Sequence, residues 1–175
     1  MNNILKEERF NFISNDDKVF ILAFNDEMIK LGYAFGNKIG SGFCWGKYMI
    51  VYTKAGVKSK NVFARIYIRD SSIVLRLFFS HIDKHREFIE DAPSHIKEVF
   101  VGEYGNCQHA HDNKDGNCQF RKTYTISDLL IEKCNGRTFE FHNPSLDKIK
   151  DYLALFTEFY PKKKAVMNMQ SSVEA

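Results

Sequence analysis

Between residues 47 and 79 the chain keeps a period of two, and this pattern limits what it can fold into more than any other. Tyr48, Ile50 and Tyr52 alternate with Met49 and Val51, a turn-like stretch fills residues 54–60, and further runs occupy residues 62–69 and 73–79. Successive side chains of a strand point to opposite faces, so the pattern predicts an antiparallel meander with its turn at Asp70, Ser71 and Ser72. A two-residue turn would set Ile66 and Ile68 on one face with Ile73, Leu75, Leu77 and Phe79, the core side. Arg65, Tyr67, Arg69 and Arg76 then share the other face. Guanidinium groups interleaved with a ring suit a carboxylate or phosphate, or a stacked base, which makes these four the candidate ligand-binding residues. A wet sheet face with cross-strand ion pairs accounts for the same residues, and a three-residue turn would move Arg76 away.

The stretch from Trp45 to Phe79, W-G-K-Y-M-I-V-Y, then A-R-I-Y-I-R and I-V-L-R-L-F-F, resembles the opening strands of small uncharacterised bacterial domains of the YdhG-like kind. The resemblance covers about a fifth of the chain and implies an α+β fold. It carries no functional residue with it.

Helical signals flank the meander. Residues 1–13 read as a polar arm that packs only at its last turn, through Phe10, Phe12 and Ile13. Ser14, Asn15, Asp16 and Asp17 supply capping oxygens and negative charge for a helix start, and Phe20, Ala23, Phe24, Met28 and Leu31 follow at spacings of three and four until Gly32. Residues 36–46 hold four glycines and read as a loop or bent edge. A helix with Ile82, His85 and Ile89 begins at Ser80 or His81, and Pro93 opens another with Ile96, Val99 and Phe100. His81, His85 and His95 read as capping, surface or partly buried structural residues, since no H-E-x-x-H pattern accompanies them. Residues 120–126, 129–134 and 137–142 predict three more strands, the last two joined by a hairpin at Asn135-Gly136. Such a hairpin would draw Glu132, Glu140 and His142 together as a carboxylate-imidazole group for acid-base work, or as ordinary solvent-facing strand residues. Asn143, Pro144 and Ser145 precede a last helix with a stripe of Leu146, Ile149, Leu153, Phe156 and Tyr160, ended by Pro161. Residues 162–175 form a basic, then polar, aperiodic tail, expected to be disordered.

Residues 102–134 concentrate metal-capable side chains: Cys107, His109, His111, Cys118 and Cys134. Five candidates exceed what a tetrahedral zinc needs, and the residues from Asp112 to Asn117 between them bury too little apolar surface to order a loop unaided. The expectation is one structural zinc on Cys107, Cys118 and Cys134 with His109 or His111 as fourth ligand. Free thiols in a mobile loop, or a Cys107–Cys118 disulfide, remain the competing readings. Cys134 also suits a buried strand position as a small apolar residue.

At 175 residues the chain fits one domain, and 16 Phe with 8 Tyr are enough to fill a core or line a cavity. A net charge of +3 falls well short of a chain devoted to phosphate backbones, so nucleic acid is not the favoured partner. No run approaches the ~20 apolar residues of a membrane span and no leader pattern opens the chain, so a cytoplasmic protein with reduced cysteines is expected. The sequence thus predicts a single α+β domain over residues 14–161: an antiparallel sheet of about six strands packed by three to four helices, with a Cys/His loop at 102–118. The expected function is binding, without catalysis, of a small molecule or protein partner in an aromatic cavity braced by zinc. A zinc enzyme with an open coordination position and a nucleic-acid-binding module are the alternatives.

Overall fold

A computed structural model describes residues 1–58, 61–105, 120–134 and 137–162. The chain opens with α1 (Asn2–Leu5) and a 3-10 turn, Glu8–Phe10. Contrary to the expectation for the arm, packing begins well before its last turn. Leu5 is buried, as are Phe10 and Ile13. In α2 (Asn15–Lys30) the Ser14 side chain accepts the Asp17 N–H, satisfying one of the helix's orphan donors. Phe20, Phe24 and Met28 face inward, and Gly32 ends the helix at φ 87°.

The strands are β1 (Tyr33–Ala34), β2 (Gly40–Ser41), β3 (Tyr48–Lys54), β4 (Val62–Ile68) and β5 (Ile73–Phe78). A 3-10 turn (Ile82–His85), α3 (Arg86–Asp91) and α4 (Ser94–Val101) follow, then β6 (Arg121–Ile126), β7 (Leu129–Cys134), β8 (Thr138–His142) and α5 (Ile149–Phe159). The antiparallel sheet has six strands in the order β1-β3-β4-β5-β8, with β2 also pairing with β3. Its membership differs from the expectation. Strands β6 and β7 form a separate ribbon, and β8 pairs with β5 rather than with β7. The Asn135-Gly136 hairpin signal itself lies outside the described residues, but no ladder joins its flanking strands. Alternation in β8 decides the outcome, because Phe139 and Phe141 pair with Leu77 and Leu75 and complete the apolar face of the large sheet.

Register makes rows across that sheet. Ile50, Ile66, Leu75 and Phe141 form one, and Tyr52, Ala64, Leu77 and Phe139 the next, all buried against the helices. Phe24 of α2 meets Tyr52 edge-on at 5.6 Å, Tyr152 of α5 lies 5.1 Å from Phe141, and Phe100 of α4 stacks on Phe139 at 4.3 Å. The β6-β7 ribbon is tied down at its tip. The Thr125 N–H donates to Asp83, the Ser127 N–H to Glu90, and Arg86 reaches Asp128 at 2.9 Å. Among the described residues no helix is long and apolar enough to cross a membrane.

Candidate functional site

The outer face of the large sheet carries two adjacent rows: Val51, Arg65, Arg76 and Glu140, then Met49, Tyr67, Val74 and His142. Arg65 and Arg76 are directly opposite, an unfavourable placement for like charges unless something separates or shares them. The Tyr67 hydroxyl does so, accepting from Nη1 of both at 3.1 Å. Arg76 also donates from Nε to Glu140 Oε1 at 2.6 Å, and Nη2 closes on the same oxygen. Both members of this ion pair are almost wholly buried.

What covers the pair is a loop that only glycine permits. The 3-10 turn Phe43–Trp45 lies between Gly42 and Gly46; a Cβ on Gly42 would meet the Gly46 carbonyl at 2.2 Å, and one on Gly46 would meet the Ile68 carbonyl at 2.7 Å. The Trp45 carbonyl accepts from Arg69 Nε at 3.0 Å, and its ring lies over the Arg76 guanidinium at 4.2 Å from the centroid. Trp45 is nevertheless 41% exposed.

The second covering residue is Tyr104, just beyond α4. Its hydroxyl donates to Glu140 Oε2 at 2.7 Å, and its ring stands edge-on to His142 at 5.7 Å. Burial first, and the hydrogen bond to Glu140 second, push its phenol up from the ordinary value. His142 Nε2 lies 3.4 Å from the same Oε2. Lys133 of β7 holds the Tyr104 segment in place, donating from Nζ to the Gly102 and Tyr104 carbonyls, and burial draws its ammonium pKa down. Those carbonyls follow the C-terminal end of α4, where a cation is favoured.

Two clefts open here. One, of about 290 Å³, is lined by Trp45, Arg76, Tyr104, Lys133, Cys134 and Glu140 among others. Another, of about 350 Å³, is lined by His95, Glu98, Tyr104, His142, Asn143 and Lys148 among others. Arg76, Glu140 and Lys133 are already engaged, so the first cleft is pre-organised: aromatic faces at its mouth, fixed charges at its floor.

The four arginine-face residues share a face as expected, yet they do not converge on one point. Arg76 is given to Glu140 and Tyr67, Arg69 to the Trp45 carbonyl, and Arg65 to Tyr67, with its guanidinium 5.2 Å from the Phe78 ring. Glu140 and His142 come together, but Glu132 is elsewhere, 3.6 Å from Arg121 across the ribbon. His81 precedes its 3-10 turn at φ 59°, while His85 pairs with Glu158 at 2.8 Å, so the two share no helix face. Cys107, His109, His111 and Cys118 lie outside the described residues. Cys134, at the end of β7, donates its N–H to the Gly105 carbonyl at 2.8 Å and pairs in register with Arg121. Among the described residues no group of three or more His, Cys, Asp or Glu is placed to hold a metal ion.

Sequence reasoning missed Trp45, Tyr104 and Lys133 as site residues. It also missed the partnership of Arg76 with Glu140, although a signal existed: a lone charged residue in I-V-L-R-L-F and another in F-E-F, each in an otherwise apolar strand. Comparison of the chain with protein-family models, with curated proteins and with solved structures gives no match.

Proposed function

We propose that the chain is a non-catalytic binding domain that takes a planar, negatively charged small molecule in the cleft between Trp45 and Tyr104, with one structural zinc bracing the cleft wall. The observation that carries this reading is the position of Cys134. Its N–H bond to Gly105 and its register with Arg121 put it beside both ends of the segment that holds the other candidate ligands. Cys107 is two residues beyond Gly105 and Cys118 three before Arg121, so at ~3.3 Å per extended residue a chain of that length needs to span no more than ~10 Å to return to the junction. A zinc on Cys107, Cys118 and Cys134 with His109 or His111 would cross-link residues 105 and 134, which themselves line the cleft.

The lining supports this ligand class. Stacking faces are offered by Trp45 and Tyr104, and the cations Arg76 and Lys133 outnumber the carboxylate Glu140, with Arg69 close by at Trp45. Two measurements on tag-free protein prepared without chelator test the reading. Elemental analysis should give about one zinc per chain. Orotate, a planar carboxylate, should quench the emission of Trp45, the chain's single tryptophan. A zinc ratio near zero removes the brace, and unchanged emission at millimolar orotate removes the ligand class.

A further inference from the structure

Three features draw the two clefts together. They share Val99, Tyr104 and Glu140. The Glu140 carboxylate spans them: Oε1 is on Arg76, which lines the first, and Oε2 is near His142, which lines the second, while the shared Tyr104 donates to Oε2. Tyr104 is 58% exposed although its hydroxyl is hydrogen-bonded and its ring is set against His142. An exposed ring fixed in this way is a platform at the junction rather than a filler of the core.

The linings differ in chemistry. In the second cleft Glu140 is already paired with Arg76, and the lining otherwise carries one lysine, Lys148, and one glutamate, Glu98, so its formal charges balance. His95 Nε2 is buried 3.1 Å from Asp151, and what remains is hydrogen-bonding capacity of both senses from the His142 imidazole, the Asn143 amide and the Glu98 carboxylate, beside the rings of Tyr104 and Tyr152. Hydroxyl groups, which donate and accept at one atom, match that set better than a phosphate or an ammonium does.

We infer that the two clefts are one bipartite site, whose ligand joins a planar acidic ring, held between Trp45 and Tyr104, to an uncharged polyhydroxylated group of the sugar kind, held beside Asn143 and His142. The inference rests on the binding role proposed above and specifies its ligand. Such a site gains selectivity from the second part, because hydrogen-bonding groups left unpaired by a truncated ligand weaken its binding.

Orotate and its riboside orotidine separate the two claims, with Trp45 emission as the readout. Orotidine should bind about tenfold or more tightly than orotate. Asn143→Gly, which keeps the backbone's left-handed φ of 48° accessible, and Glu98→Ala, on the exposed side of α4, should each bring orotidine down toward the orotate value. Neither residue lines the first cleft, so orotate binding should stay as it is. Equal affinities for the two compounds, or variants that weaken both alike, would overturn the bipartite site while leaving the first cleft standing. Absence of quenching by either compound overturns the binding role itself, and the bipartite site with it.

Discussion

Taking Arg76 and Glu140 out of water costs several kcal/mol for each ion, and their attraction offsets that only because almost every polar atom is answered: two guanidinium nitrogens on Oε1, Tyr67 on Nη1, Tyr104 on Oε2. Removing one partner leaves the other charged and buried. Glu140→Ala and Arg76→Ala are each expected to lower unfolding free energy by about 3–5 kcal/mol, whereas the double change Arg76→Met with Glu140→Leu should cost far less. Urea denaturation of the three variants checks this, and additive losses would mean that the pair is not coupled. The opposite case is Tyr52, whose buried hydroxyl has no hydrogen-bond partner among the described residues. Tyr52→Phe removes an unanswered polar group at nearly constant volume, so a gain of about 1 kcal/mol is expected. A loss of that size would reveal a partner for the hydroxyl.

The β6-β7 ribbon buries Tyr124, Ile126 and Ile131, but its tip is tied down by carboxylates. Glu90 accepts the Ser127 N–H and the Arg86 Nε, and these two contacts, the backbone one foremost, hold its pKa below the ordinary value. A carboxyl lowered in the folded state contributes stability that is present above its unfolded pKa, near 4.5, and lost as pH falls through the folded value. Glu90→Ala at neutral pH, or acid below pH ~4.5, should therefore lower the hydrogen-exchange protection factor at Ser127, taken relative to the intrinsic rate at each pH, while strand β4 stays protected; uniform loosening of both would count against it. The same ribbon shows how far the sequence could be read. The meander was legible because alternation and turn chemistry agree from Tyr48 to Phe78, and the Ser14 cap and Gly32 stop were legible because both act within a few residues. The partner of β7 was not. Asn135-Gly136 is a local signal, and it is overridden by the burial of Phe139 and Phe141 on a sheet whose neighbouring strand, β5, ends at Phe78, far back in the sequence. The cleft was hidden for a related reason: Trp45, Arg76, Tyr104, Lys133 and Glu140 come from five separated stretches, and no spacing rule relates them.

For the molecule as a whole, buried phenols set the alkaline limit. Burial raises Tyr160 to about 12, and Tyr52 and Tyr124 further still. An acid whose pKa is raised in the folded state contributes stability that is full below its unfolded value, near 10, and lost as pH climbs toward the folded one. Lys133 acts in the other sense, since its lowered pKa makes folding easier as pH approaches 10.5. Denaturation midpoints should accordingly hold or rise slightly toward pH ~10 and then fall steeply; a curve already declining from neutrality would contradict the assignment. The β5-β8 seam bears on how the fold is reached. Strands β3, β4 and β5 are neighbours in sequence and need only short loops to meet, but the seam joins Arg76 to a residue 64 positions later. Closing so long an excursion forfeits chain entropy that local pairing does not, so the seam is expected to form after the meander. The cleft floor is that seam. If the cleft binds as proposed, a chain in which the seam has opened has no place for the ligand, so binding should hold that seam shut and the melting temperature should rise with the logarithm of free ligand concentration above Kd.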